Sequence, residues 1–156
     1  MSKTRRRVLF LCTGNSCRSQ MAEAIVNARL GDLWEAFSAG TQPAGYVHPK
    51  ALDALAEIGI DWRGHTSKHA DQFRTIPFDL VVTVCDDAAE NCPVWLPAPG
   101  PQAQEGEGKR VHMGFPDPAR ATGSDEEVMA AFRAVRDAIA EQVPDLLHGW
   151  TDAHSD

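Results

Sequence analysis

The amino-acid sequence predicts an α/β fold: a three-layer sandwich in which a four-stranded open parallel sheet is flanked by helices. Three observations carry that prediction. Val8-Leu9-Phe10-Leu11 and Leu80-Val81-Val82-Thr83-Val84 have the character of strands buried on both faces. Between and after them, apolar residues recur at helical spacing. Both runs lead directly into a cysteine, so Cys12 and Cys85 are expected at the carboxyl edge of the sheet, where open parallel sheets bind their ligands.

Taken in order, Val8 to Leu11 is the first strand. Met21, Ile25 and Ala28 mark one face of the first helix, with Gly31 as its stop signal. Trp34 to Ala39 forms a second strand closing at Gly40. Pro49 suits a first helical position, followed by Leu52, Leu55 and Ile58, with Gly59 ending the segment. Leu80 to Val84 is the third strand, and Arg110 to Phe115 a weaker fourth. Residues 97–108, rich in Pro, Gly and Gln, are expected to form a mobile surface loop. Ser124 and Glu127 make a capping-box pattern ahead of a helix whose Val128, Phe132, Val135 and Ile139 share a face. No repeat or second domain is visible, so one domain is expected over 1–156, with its core at about 7–143 and a tail at 144–156.

A chain of 156 residues can bury a substantial core. Its net charge of −7 argues against nonspecific binding to nucleic acid or to an anionic membrane. An anionic ligand therefore needs a locally built positive pocket. Lys3, Arg5, Arg6 and Arg7 resemble the basic start of a signal peptide, but the apolar run after them is too short and lacks a small-residue cleavage site. No stretch reaches membrane-spanning length. A cytoplasmic protein is expected and, with no oligomerisation signature, a monomer.

Cys12-Thr13-Gly14-Asn15-Ser16-Cys17-Arg18-Ser19 carries the chemistry. It sets a cysteine at a strand end, then a tight loop, then a helix start. The backbone N–H groups of such a loop can converge on a tetrahedral oxyanion, and the helix N-terminus adds positive potential. Arg18 offers a planar fork of donors for two anion oxygens. The same field favours Cys12 as a thiolate nucleophile. Thr13, Gly14, Asn15, Ser16, Cys17 and Arg18 are therefore the candidate substrate-binding residues. Asn15 suits a strained loop position because Asn tolerates positive φ. Cys17 is expected to pack as a small hydrophobe.

The four cysteines do not suit structural disulfides in a cytoplasmic chain. Their spacing lacks the paired ligand doublets of common zinc sites, so no metal site and no cofactor are assigned. A relay of thiols acting through mixed disulfides is the alternative. Were 85–92 helical, its ends would lie about 10 Å apart, beyond the Cα separation of about 4.4–6.8 Å that a disulfide needs. Pairing Cys85 with Cys92 would then require the segment between them to unwind.

Cys12-x₅-Arg18-Ser19 after a strand, with Asp117-Pro118 late in the chain, resembles the low-molecular-weight protein tyrosine phosphatase superfamily. The whole string Cys12 to Met21, His65-Thr66-Ser67, and Val84-Cys85 with Cys92-Pro93 resemble one of its branches, the thioredoxin-coupled arsenate reductases. The likeness runs from about Arg7 to Gln142. It implies arsenate as substrate, thioredoxin as reductant, and the catalytic set Cys12, Cys85, Cys92, Arg18, Asp117 and Ser19. Cys12 would attack arsenic, Ser19 would hydrogen-bond the Cys12 sulfur, and Asp117 would be the general acid. Cys85 and Cys92 would resolve the adduct, ending as a Cys85–Cys92 disulfide. Some members of the branch bind a monovalent cation through residues matching Asn15, Glu23, Ser38 and a carboxylate three positions after His65. This chain has Lys68 there, whose ammonium can supply that charge, so potassium is expected not to activate; the alternative reading of Lys68 is a solvated surface residue.

Two other functions fit parts of the pattern. Phosphoester hydrolysis could use the same Cys12, Arg18 and Asp117, although only Phe115 stands near Asp117 as an aromatic clamp, and Tyr46 is the one tyrosine. A thiol sensor or arsenite binder would explain the cysteines but leave Arg18, Ser19 and Asp117 without a purpose.

Overall fold

The structure, a computed structural model, describes residues 6–73, 76, 78–84 and 109–154. Cys85, Cys92 and the 97–108 segment lie outside the described residues. Strands β1 (Arg6–Cys12), β2 (Trp34–Gly40), β3 (Leu80–Thr83) and β4 (Lys109–His112) pair in parallel in the order β2-β1-β3-β4. Among the described residues three α-helices accompany them: α1 (Arg18–Arg29), α2 (Pro49–Glu57) and α3 (Asp125–His154). The α/β parallel sheet expected from the sequence is present. No described helix is long and apolar enough to cross a membrane.

β1 explains its own composition. It is paired on both edges, and Val8 to Leu11 are fully buried, so neither face tolerates a polar side chain. Its side chains alternate between two cores, as the strand period of two demands. Val8, Phe10 and Cys12 join the larger core with Met21 and Ile25 of α1, Leu55 of α2, and Phe132 and Ile139 of α3. Leu9 and Leu11 join the smaller one, with Ala39, Val81, Phe73 and Phe78. There the covering element among the described residues is the 3₁₀ turn Ala70–Phe73, held by edge and tilted contacts of Phe37, Phe73 and Phe78 at centroid separations of 5.5–6.1 Å. β2 is sealed on its outer edge by Asn27 of α1. Its amide donates to Ala36 O (3.1 Å) and accepts from Ala36 N (2.9 Å).

The order of the strands matters for function. The chain leaves β1 for one neighbour, β2, and later returns on its other side as β3, so the carboxyl end of β1 is the switch point of the sheet. The loop starting at Cys12 stands there.

The helix ends follow sequence chemistry closely. His48 N-caps α2, its Nδ1 accepting from Lys50 N at 3.1 Å, with Pro49 in the first turn. Ser124 and Glu127 form the expected capping box: Glu127 N donates to Ser124 Oγ (3.1 Å) and Ser124 N to Glu127 Oε1 (3.3 Å). At the other end of α2, Arg136 donates to Ala54 O (2.9 Å) and Glu57 Oε1 (2.8 Å), and Arg133 forks onto Glu57 as well. Hydrogen bonds from Arg133, then Arg136, hold the Glu57 carboxyl down at about 2, so this clamp of α2 on α3 stays charged across the neutral range.

Three details differ from the sequence reading. The fourth strand, expected over Arg110 to Phe115, runs from Lys109 to His112. Ala28 is exposed, because the buried face of α1 is the run Arg18 to Val26, polar residues included. The segment expected as a tail, 144–156, is helical as far as His154. Pro144 removes one helical hydrogen bond, but fully buried Val143 and Leu147 continue the stripe of Phe132 and Ile139 into the larger core. Leu147→Ala is therefore expected to cost about 2–5 kcal/mol in urea unfolding, as core truncations do. A change below about 0.5 kcal/mol, the size of an ordinary surface substitution, would show that this turn carries no core.

Candidate active site

The loop between β1 and α1 is shaped from outside. The carbonyls of Thr13, Gly14 and Ser16 accept from the backbone N–H of Gln42, Ala44 and His48, each at 2.9 Å. A trans peptide sets each carbonyl opposite the next N–H. Turning those three carbonyls outward therefore turns the N–H groups of Gly14, Asn15 and Cys17 inward. Asn15 N does point inward, donating to Cys12 Sγ at 3.1 Å. Cys17 supplies no side-chain cap to α1, and the first turn of that helix carries no acidic residue, so its positive end is left for an anion.

Asn15 is the hub. It is fully buried at φ 50°, the one described non-glycine residue at positive φ. Its Oδ1 accepts from Lys68 N (2.7 Å) and Gln20 Nε2 (3.0 Å), and its Nδ2 donates to Ser19 Oγ (2.8 Å). A backbone N–H can only donate, so the Lys68 contact fixes which end of the amide is oxygen. Ser19 Oγ, having accepted from Asn15, keeps its hydrogen for Cys12 Sγ at 2.9 Å. Two donors, a hydroxyl and a backbone N–H, thus aim at one buried sulfur, the environment a thiolate requires.

Gly40, at the end of β2, closes against this loop. A Cβ there would stand 2.4 Å from Thr13 O and 3.0 Å from Asn15 N, both backbone atoms. Gly40 N donates to Lys68 O (2.9 Å), so the segment that presents Lys68 to Asn15 is anchored to the same residue. The Lys68 ammonium lies 3.8 Å from Glu23 Oε1, which also accepts from Ser38 Oγ at 2.5 Å. Burial raises the Glu23 carboxyl above its ordinary value, against the opposing pull of Lys68 and Ser38.

Arg18 and Asp117 meet over the loop. Arg18 is buried, its Nη1 donates to Phe115 O at 3.2 Å, and its Nη2 stands 3.7 Å from Asp117 Oδ2. Asp117 caps the short turn Pro118–Arg120, its Oδ1 accepting from Ala119 N at 3.0 Å, while Arg120 Nε approaches Oδ2 at 3.9 Å. Asp117 is thereby held beside Arg18, one oxygen fixed by backbone and the other facing two guanidinium groups. Phe115 is buried and presents its carbonyl to Arg18, so it does not stand exposed as an aromatic clamp.

Cys12, Asn15, Arg18, Ser19 and Asp117 are therefore gathered in one place, with Thr13, Gly14, Ser16 and Cys17 forming the loop itself. Sequence reasoning missed Gln20, Gly40 and Trp62. Gln20 is fully buried, donating to Asn15 O, Asn15 Oδ1 and Thr66 O, and Trp62 Nε1 donates to Gln20 Oε1 at 2.9 Å. No local pattern marks these residues. A polar Gln on the buried face of a helix was the one available signal.

A family model of low molecular weight phosphotyrosine protein phosphatases matches residues 7–154, and the chain belongs to that family. It is 48% identical over 136 residues to the arsenate reductase of Halalkalibacterium halodurans, covering 87% of this chain and 91% of that protein. It is 46% identical over 139 residues to the arsenate reductase of Bacillus subtilis, covering 89% and 93%. The solved structure of an arsenate reductase in the phosphate binding state matches with a TM-score of 0.68 at 30% identity, over 92% of this chain and 98% of that one.

Two predictions follow from the loop. Gly40→Ala is expected to weaken phosphate binding and to cost about 1–3 kcal/mol in urea unfolding, because backbone must move to admit the methyl group. Unchanged phosphate affinity would mean the loop tolerates that shift. Burial pushes the Cys17 thiol up to about 12. A raised thiol value keeps the protonated, unreactive form at every pH below it, so iodoacetamide should spare Cys17 up to about pH 9. Peptide mapping by mass spectrometry checks this, and Cys17 modified in that range would contradict it.

Proposed function

We propose that the protein reduces arsenate to arsenite, with Cys12 as nucleophile, Cys85 and Cys92 as resolving thiols, and thioredoxin as the reductant that restores them. The observation that carries this reading is the sulfur of Cys12, given two hydrogen-bond donors in the same loop whose Arg18 pairs with Asp117. The likeness to arsenate reductases over most of the chain supports the choice of substrate. The sequence Val84-Cys85 with Cys92-Pro93 supports the relay.

The chemistry balances in three steps. The Cys12 thiolate attacks arsenic(V), a sulfur–arsenic bond forms, and one arsenic oxygen leaves as water with the proton of Asp117. Arg18 and the inward N–H groups of Gly14 and Cys17 carry the charge of the remaining oxygens, while the Asn15 N–H stays on the Cys12 sulfur. The Cys85 thiolate then attacks Cys12 Sγ, and the sulfur–arsenic electron pair leaves with arsenic. Arsenic is reduced by two electrons to arsenite, and a Cys12–Cys85 disulfide forms. Finally the Cys92 thiolate attacks Cys85, releasing Cys12 as thiolate and leaving a Cys85–Cys92 disulfide for thioredoxin to reduce.

Hydrolysis of phosphoesters is the second reading, favoured by the same Cys12, Arg18 and Asp117 geometry. Buried Phe115 offers no wall for a tyrosyl ring, so small aryl phosphates would be its substrates.

Arsenate-dependent NADPH oxidation with thioredoxin and thioredoxin reductase separates the two. Steady turnover is expected in the wild type, and at most one turnover in Cys92→Ser. Steady aryl phosphate hydrolysis that ignores Cys92, with no arsenate turnover, would assign the chain to the phosphatases. Asp117→Asn is expected to slow the arsenate reaction by about 10²–10⁴-fold, the range of general acid catalysis. With Lys68 beside Glu23, replacing potassium by choline at constant ionic strength should leave the rate unchanged. A clear rise with potassium would contradict that assignment of Lys68.

A further inference from the structure

The hydrogen-bond chain that shapes the loop does not end at Asn15. Gln20 Nε2 stands among three acceptors, Asn15 O (3.2 Å), Asn15 Oδ1 (3.0 Å) and Thr66 O (3.1 Å). Its other end, Oε1, accepts from Trp62 Nε1 at 2.9 Å. An indole N–H is a donor only, so it accepts just one orientation of the Gln20 amide. Reversing that amide would set Oε1 against three oxygens and two N–H groups against the indole N–H. Gln20 is fully buried, so water cannot compensate for the reversal. Trp62 itself is clamped: it is buried, and His65 stacks on its ring at 3.6 Å with the planes 6° apart.

We propose that Trp62 is a positioning residue for the oxyanion loop, acting through Gln20 on Asn15. Its hydrogen bond and ring contact go to Gln20 and His65, not to Cys12. Its indole N–H locks the Gln20 amide, whose NH₂ group then secures the left-handed turn at Asn15 from two sides, the side-chain and main-chain oxygens. With Asn15 secured, its N–H stays on Cys12 Sγ and its Nδ2 on Ser19 Oγ. The proposal rests on the reading of the Cys12 loop as the anion site.

The test uses the intact protein with inorganic phosphate as the probe. In ¹H–¹⁵N spectra, the Trp62 indole cross-peak, assigned by its loss in Trp62→Phe, should shift on saturation with phosphate. By calorimetry, Trp62→Phe should weaken phosphate binding about tenfold, the order set by one buried hydrogen bond, in a variant whose urea curve still shows one cooperative transition from a folded state. Gln20→Leu should weaken binding as well, and adding Trp62→Phe to it should weaken binding no further, since the path to Asn15 is already cut. Unchanged phosphate affinity in Trp62→Phe, or equal losses that add in the double variant, would overturn the proposal. If Trp62→Phe does not fold, the wild-type cross-peak, assigned instead through nuclear Overhauser contacts from the indole to the Trp62 backbone, decides: a resonance that ignores saturating phosphate overturns it. No phosphate binding by the wild type would instead overturn the anion-site reading on which the proposal rests.

Discussion

A single buried asparagine in a left-handed conformation governs the rest of the site. The loop after β1 must turn tightly around the Cys12 sulfur, and it does so by placing Asn15 at φ 50° with no solvent access. That conformation is unfavourable for a non-glycine residue. Glycine would relieve the strain but would contribute no side chain. Asn15 keeps the strain and spends its amide on Ser19, Gln20 and Lys68. The result is a loop whose inward N–H groups are set before any anion arrives, the preorganisation on which electrostatic catalysis depends.

The surroundings make sense as responses to that constraint. The outward carbonyls of the loop are taken by residues 42–48, which lead directly into α2. Gly40 lacks a side chain because loop backbone occupies the place where one would be. Lys68 carries both a backbone N–H for Asn15 and an ammonium for Glu23, so one residue serves the hub and the buried carboxylate behind it. The first half of α1 can be polar and buried at once because Arg18, Ser19, Gln20 and Glu23 each find partners within the site. The ordinary rule that a buried polar group must be hydrogen-bonded thus explains why this helix lacks a simple apolar stripe.

What could be foreseen from the sequence divides along the same line. β1, β2, β3 and the starts of α1, α2 and α3 were legible because buried strands, capping residues and Pro or Gly signals are local. The Cys12 to Ser19 loop was legible because its spacing is a local geometric requirement, and Asp117-Pro118 was legible through family likeness. Trp62, Gln20 and Gly40 were not, since each acts through partners in other segments and the pattern around each is unremarkable. The continuation of α3 past Pro144 was hidden by a residue that usually ends helices. Only the burial of Leu147 in the larger core reveals why this one does not.

Substitution of Asn15 by glycine tests the central claim most directly, because it separates the conformation from the hydrogen bonds. Glycine adopts positive φ at no steric cost, yet it has no amide for Ser19 Oγ or Lys68 N and keeps only its main-chain oxygen for Gln20. Calorimetric titration with inorganic phosphate should show Asn15→Gly binding at least about tenfold more weakly than the wild type, as expected when several buried hydrogen bonds are lost together. Equal or tighter binding by Asn15→Gly would mean that the turn alone shapes the loop and that its side-chain network is incidental.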